Sequence, residues 1–106
     1  MSEFVRLCAV EETPKPGGVT EMQAGGRTIC LANVDGELCA LDNLCPHRQG
    51  PLGEGWVEDG AVVCPWHSWV FNAKTGEGVL DHGMRVDVFP LRVEGGEVLI
   101  QVRGEG

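Results

Sequence analysis

Tyrosine is absent from this chain, and the aromatic residues are limited to three Phe and three Trp. Basic residues are scarce, 8 against 16 acidic ones, for a formal charge of −8. That balance excludes nucleic acid, whose binding rests on neutralising phosphates, and an anionic membrane surface. An acidic face either steers the chain toward a basic partner or simply keeps it soluble. No stretch approaches the roughly 20 apolar residues needed to span a bilayer. The start, Met1-Ser2-Glu3-Phe4-Val5-Arg6, has no apolar targeting segment and enters a strand pattern at once. Five cysteines cannot all pair, so a reducing, cytoplasmic compartment fits them better than a disulfide framework.

What the chain has in quantity is glycine, 16 residues among short β-branched runs. This predicts an all-β domain with many turns. At 106 residues, positions 1–106 read as one domain. Strands are expected over Phe4 to Val10, Val19 to Gln23, Arg27 to Val34, Glu37 to Asp42, Trp56 to Glu58, Ala61 to Val63, Arg85 to Val88, Leu91 to Val93 and Val98 to Val102. Asp35-Gly36 and Asp59-Gly60 mark tight hairpin turns. No segment is long and periodic enough for a helix.

The residues that carry chemistry are Cys45-Pro46-His47 and Cys64-Pro65-Trp66-His67. They read C-x-H, sixteen residues, then C-x-x-H. Ordinary zinc sites group like ligands together. Here each loop carries one thiolate and one imidazole. That order suits a binuclear cluster in which one iron takes Cys45 and Cys64 and the other takes His47 and His67. A structural zinc module with the same two Cys and two His is the reading of a different class. The third histidine, His82, has no partner cysteine and is read as a loop residue. Cys8, Cys30 and Cys39 fall in predicted strands and are read as small buried hydrophobes. Gly50, Gly53 and Gly55 are expected to allow close backbone approach or positive φ.

Asn43-Leu44-Cys45-Pro46-His47-Arg48-Gln49-Gly50-Pro51-Leu52 and Val63-Cys64-Pro65-Trp66-His67-Ser68-Trp69-Val70-Phe71-Asn72 resemble the ligand loops of Rieske-type 2Fe–2S ferredoxins. Lys74-Thr75-Gly76-Glu77 and Asp81-His82-Gly83 continue the likeness, toward the small subunit of nitrite reductases and the ferredoxins of ring-hydroxylating dioxygenases. The resemblance implies the Rieske fold, an antiparallel β-sandwich or barrel base with a small cluster-binding subdomain at about 43–72. It implies one 2Fe–2S cluster on Cys45, His47, Cys64 and His67, and single-electron transfer without catalysis of its own. Partners would be a flavin-dependent reductase and a terminal oxygenase or nitrite reductase large subunit. A terminal oxygenase itself needs a mononuclear iron held by two His and a carboxylate, for which only His82 is left.

Replacing two thiolates by two neutral imidazoles makes an added electron less costly. Rieske potentials accordingly run from about −150 to +300 mV, against about −400 mV for plant-type ferredoxins. High-potential relatives carry a disulfide between the loops and Ser and Tyr hydroxyls that donate to sulfur. Gly50, Trp66, Trp69 and Phe71 occupy those positions here. The implied potential is at the low end, on the order of −150 mV.

Overall fold

The computed structural model describes residues 4–43, 51–65, 70–79 and 85–102. Ten strands are present among them: β1 (Phe4–Ala9), β2 (Val19–Ala24), β3 (Arg27–Val34), β4 (Glu37–Asp42), β5 (Trp56–Glu58), β6 (Ala61–Val63), β7 (Val70–Asn72), β8 (Val88–Phe89), β9 (Leu91–Glu94) and β10 (Glu97–Gln101). All pair antiparallel, in three sheets ordered β1-β10-β9, β2-β3-β4-β8 and β5-β6-β7. The only helical pieces among the described residues are single 3-10 turns at Val10–Glu12 and Leu52–Glu54.

Turn chemistry sets this architecture locally. The β3–β4 hairpin turns on Asp35 (φ 55°) and Gly36 (φ 95°), and the β5–β6 hairpin on Asp59 (φ 52°) and Gly60 (φ 78°). Two consecutive left-handed residues give the turn whose twist matches the flanking strands. Asn33 adds a side-chain bond, its Oδ1 accepting from the Gly36 N–H at 2.7 Å.

The middle sheet is covered on both faces. Along β3, Ile29 and Leu31 point into one core with Leu7, Cys8, Ala40, Phe89, Val98 and Ile100. The alternate residues Cys30 and Ala32 point into a second core with Cys39, Leu41, Leu52, Val62, Cys64 and Phe71. Two-sided burial explains why Ile29-Cys30-Leu31-Ala32 is a continuous apolar run rather than an alternating one. The first core joins the middle sheet to β1-β10-β9 and forms the sandwich base. The second core seats the small β5-β6-β7 sheet on the opposite face.

The expected strand from Arg85 to Val88 is divided. Arg85 bridges Glu77, and the Val86 N–H donates to Gly76 O at 2.8 Å. Asp87 O then accepts from the Asp42 N–H at 2.9 Å, and Val88–Phe89 pairs with β4. The segment changes partners midway, from the extension of the small sheet to the edge of the middle sheet. The expected first strand likewise ends at Ala9, where the 3-10 turn begins and Glu12 Oε1 accepts from the Ala9 N–H at 2.8 Å.

Candidate metal centre

Of the four predicted ligands, Cys64 is described; Cys45, His47 and His67 lie outside the described residues, as do His82, Gly50, Trp66 and Trp69. No group of three or more His, Cys, Asp or Glu side chains that could hold a metal comes together among the described residues. The stems of the ligand loops, however, are described.

The second loop is the connection between β6 and β7. Val63 pairs with Val70, so the ends of this connection lie side by side, and Cys64 is the first residue after β6. Cys64 is fully buried in the second core, beside Leu41, Leu52, Val62 and Phe71. The first loop leaves the end of β4 and returns through the 3-10 turn into β5, whose Trp56 pairs with Val63. Because β5 and β6 are antiparallel, the start of β5 and the end of β6 lie at the same end of the small sheet. The return of the first loop and the start of the second therefore lie together at that end. The Val79 N–H donates to Val70 O at 2.9 Å, so the segment carrying the chain toward residue 80 leaves from that end as well.

Two glycines let the stems approach. A Cβ on Gly55 would lie 1.8 Å from the Val63 carbonyl oxygen, and one on Gly53 would lie 2.4 Å from Glu21 Cγ and 2.7 Å from Asn43 Oδ1. The expected close backbone approach is present at both. At Gly55 the contact falls one residue before Cys64, so the returning limb of one loop packs against the stem of the other.

Asn43, which the sequence reading included only as the edge of a motif, sits 3 % exposed at the neck of the first loop. Its backbone N–H donates to Thr28 O at 3.1 Å, and its backbone O accepts from the Leu52 N–H at 2.8 Å. Its side-chain Oδ1 accepts from the Gly53 N–H at 2.6 Å, and Nδ2 donates to Glu21 Oε2 at 3.0 Å. An Asn ending a strand before a Pro- and Gly-rich loop is the one signal the sequence offered for this. Next to it, the Arg27 guanidinium reaches Asp42 Oδ2 at 3.3 Å and lies 5.6 Å from the centre of the Phe89 ring.

The other described cysteines are of a different kind. Burial pushes the Cys30 thiol up to about 12, with Glu21 adding to the effect. Burial also raises Cys8 and Cys39, each with a glutamate contributing. All three are free thiols in the cores. They are small buried hydrophobes held protonated, as expected.

A family model described as Rieske [2Fe-2S] domain matches residues 3–90. The ferredoxin component of the alkene monooxygenase system of Xanthobacter autotrophicus is 36% identical over 99 residues, covering 92% of this chain and 80% of the relative. The biphenyl dioxygenase ferredoxin subunit of a Pseudomonas strain is 34% identical over 99 residues, covering 92% and 90%. Among solved structures, a ferredoxin of Sphingomonas yanoikuyae B1 superposes with a TM-score of 0.84 at 28% identity, over 95% of this chain and 100% of that one. A structure from Mycobacterium tuberculosis, described as an NADH-dependent nitrite reductase small subunit, shares the fold with a TM-score of 0.87 at 22% identity, over 99% of each chain. The zinc reading finds no support in these relatives. The described parts fit a cluster held between two loops: a buried cysteine at the stem of one, a pinned neck on the other, and the returning limb of the first packed on the stem of the second. With its family matched over most of its length, this chain belongs to the Rieske 2Fe–2S domain family, and its cofactor is one Rieske-type 2Fe–2S cluster.

Proposed function

We propose that the protein is a low-potential electron carrier that passes single electrons from a flavin-dependent reductase to a terminal oxygenase, and has no catalytic activity of its own. Cys45 and Cys64 hold one iron and His47 and His67 the other, in a single domain spanning 1–106 whose cluster-binding part covers about 43–72. The observation that carries the reading is 36% identity, across 92% of the chain, with a ferredoxin component of an oxygenase system. The nitrite reductase reading has a likeness of fold on its side; the ferredoxin reading has likeness of sequence as well. The free thiols of Cys8, Cys30 and Cys39 are consistent with a reducing cytoplasm, and no helix among the described residues is long and apolar enough to cross a membrane.

When bound, the cluster supplies reversible one-electron chemistry in the range of about −150 to +300 mV. The protein sets where in that range it works. Cys64 lies in an apolar core that excludes water from its sulfur. Phe71, fully buried in the same core, offers no hydroxyl to donate to that sulfur. Fewer donors leave added negative charge on the cluster less stabilised. His47 and His67 would hold their iron as neutral imidazoles, and their outer ring nitrogens would favour a bound proton when the cluster is reduced. Protein-film voltammetry is expected to give a midpoint on the order of −150 mV, and a midpoint well above zero would contradict the low-potential reading. Oxidation of the reduced protein by a terminal oxygenase, and not by a nitrite reductase large subunit, separates the two partner readings.

A further inference from the structure

The polar side chain at the neck of the first loop is not among the proposed ligands, yet it is buried and hydrogen-bonded at both ends of its amide. Asn43 uses all four of its polar groups, two toward the strands behind it and two toward the returning limb of the loop. A buried amide is costly unless both its ends are paired. An apolar side chain of similar size would leave the Gly53 N–H without its 2.6 Å acceptor. The 2.7 Å gap between a Gly53 Cβ and Asn43 Oδ1 shows how closely the limb is drawn in. Two residues later, Gly55 packs its backbone on the Val63 carbonyl, next to Cys64. A continuous run of contacts thus leads from Glu21 through Asn43, Gly53 and Gly55 to the stem of the second loop.

We propose that Asn43 is a positioning residue for the cluster: its side chain, anchored by Glu21 and gripping the Gly53 N–H, sets the width of the first loop's neck and so how firmly the cluster is seated. The inference rests on the ligand assignment proposed above. It commits to a polarity as well as a shape, because the side chain must accept from Gly53 and be held from behind by position 21. Asn43→Asp alone keeps the acceptor but sets a carboxylate against Glu21. Adding Glu21→Gln supplies a donor at position 21 and so restores the bond with its polarity reversed.

The experiment compares wild type, Asn43→Ala, Asn43→Asp and Asn43→Asp/Glu21→Gln as cluster-loaded proteins. The readouts are iron release to an excess of chelator, the low-temperature EPR spectrum after reduction, and the thermal midpoint by circular dichroism. Asn43→Ala and Asn43→Asp are expected to release iron about tenfold faster, the order of effect of a lost buried hydrogen bond, with altered or broadened g-values. The double variant is expected to recover most of that rate and the wild-type spectrum. Wild-type release and spectrum in both single variants would overturn the proposal even if their thermal midpoints fall, since that is a purely structural role. If Asn43→Ala does not fold, the other pair still decides, and a double variant as fast as Asn43→Asp overturns the proposal. Cys45→Ser is the separate control: a full cluster in that variant would refute the ligand assignment, whereas its loss alongside silent Asn43 variants refutes only the positioning role.

Discussion

Strands β3 and β4 run eight and six residues and bury side chains on both faces, whereas β5, β6 and β7 run three residues each and share one core. The base is a sandwich of long hairpins whose stability is spread over many paired backbone groups. The other region is a small sheet at the short limit of strand length, seated on the base by Leu52, Val62, Cys64 and Phe71. The same contrast divides the cysteines. Cys30 lies within β3 as a protonated thiol, while Cys64 begins a loop at the end of β6. Depth alone does not separate them, since both are fully buried; position at the end of a strand rather than within one does.

The largest expected effect breaks that comparison at its cysteines. Cys64→Ser should abolish the visible absorbance of the purified protein and its bound iron, while Cys30→Ala should keep both, as iron-to-protein ratios will report. Next come the two cores. Phe71→Ala and Ile29→Ala should each cost about 2–5 kcal/mol in chemical denaturation. Cluster absorbance should fall before the base unfolds in Phe71→Ala, and together with it in Ile29→Ala. Alkaline pH gives a smaller, signed effect. The Cys30 thiol ionises near 12 in the folded chain against an ordinary 9.0, so the unfolded chain binds fewer protons between those values. Its contribution to stability is full below pH 9.0 and is lost as pH rises toward about 12; denaturation at stepped pH should show a shallower alkaline loss in Cys30→Ala. Smallest is Arg27→Ala, which removes the 3.3 Å contact to Asp42 and the stacking on Phe89. About 1 kcal/mol or less is expected, with the cluster spectrum unchanged.

Where turn chemistry is local, the fold was legible in the sequence. The strands on either side of Asp35-Gly36 and Asp59-Gly60 fall where the pattern puts them, because a two-residue left-handed turn determines both register and length. The division of residues 85–89 was not legible, since its cause is a change of partner between Glu77 and β4 that no local pattern encodes. Of the described parts of the site, Gly53 and Gly55 were readable as close approaches. The Asn43 clamp was not, because its partners lie ten and twenty-two residues away in sequence. Nor does alternation reveal that β3 is covered on both faces; that requires knowing there is a third sheet.

Low-temperature EPR of the dithionite-reduced protein, with iron counted in the same sample, tests the central claim most directly. A rhombic signal from one unpaired spin per two irons, with hyperfine coupling to two imidazole nitrogens, is the predicted result. A colourless protein, silent on reduction and carrying one zinc per chain, would contradict it.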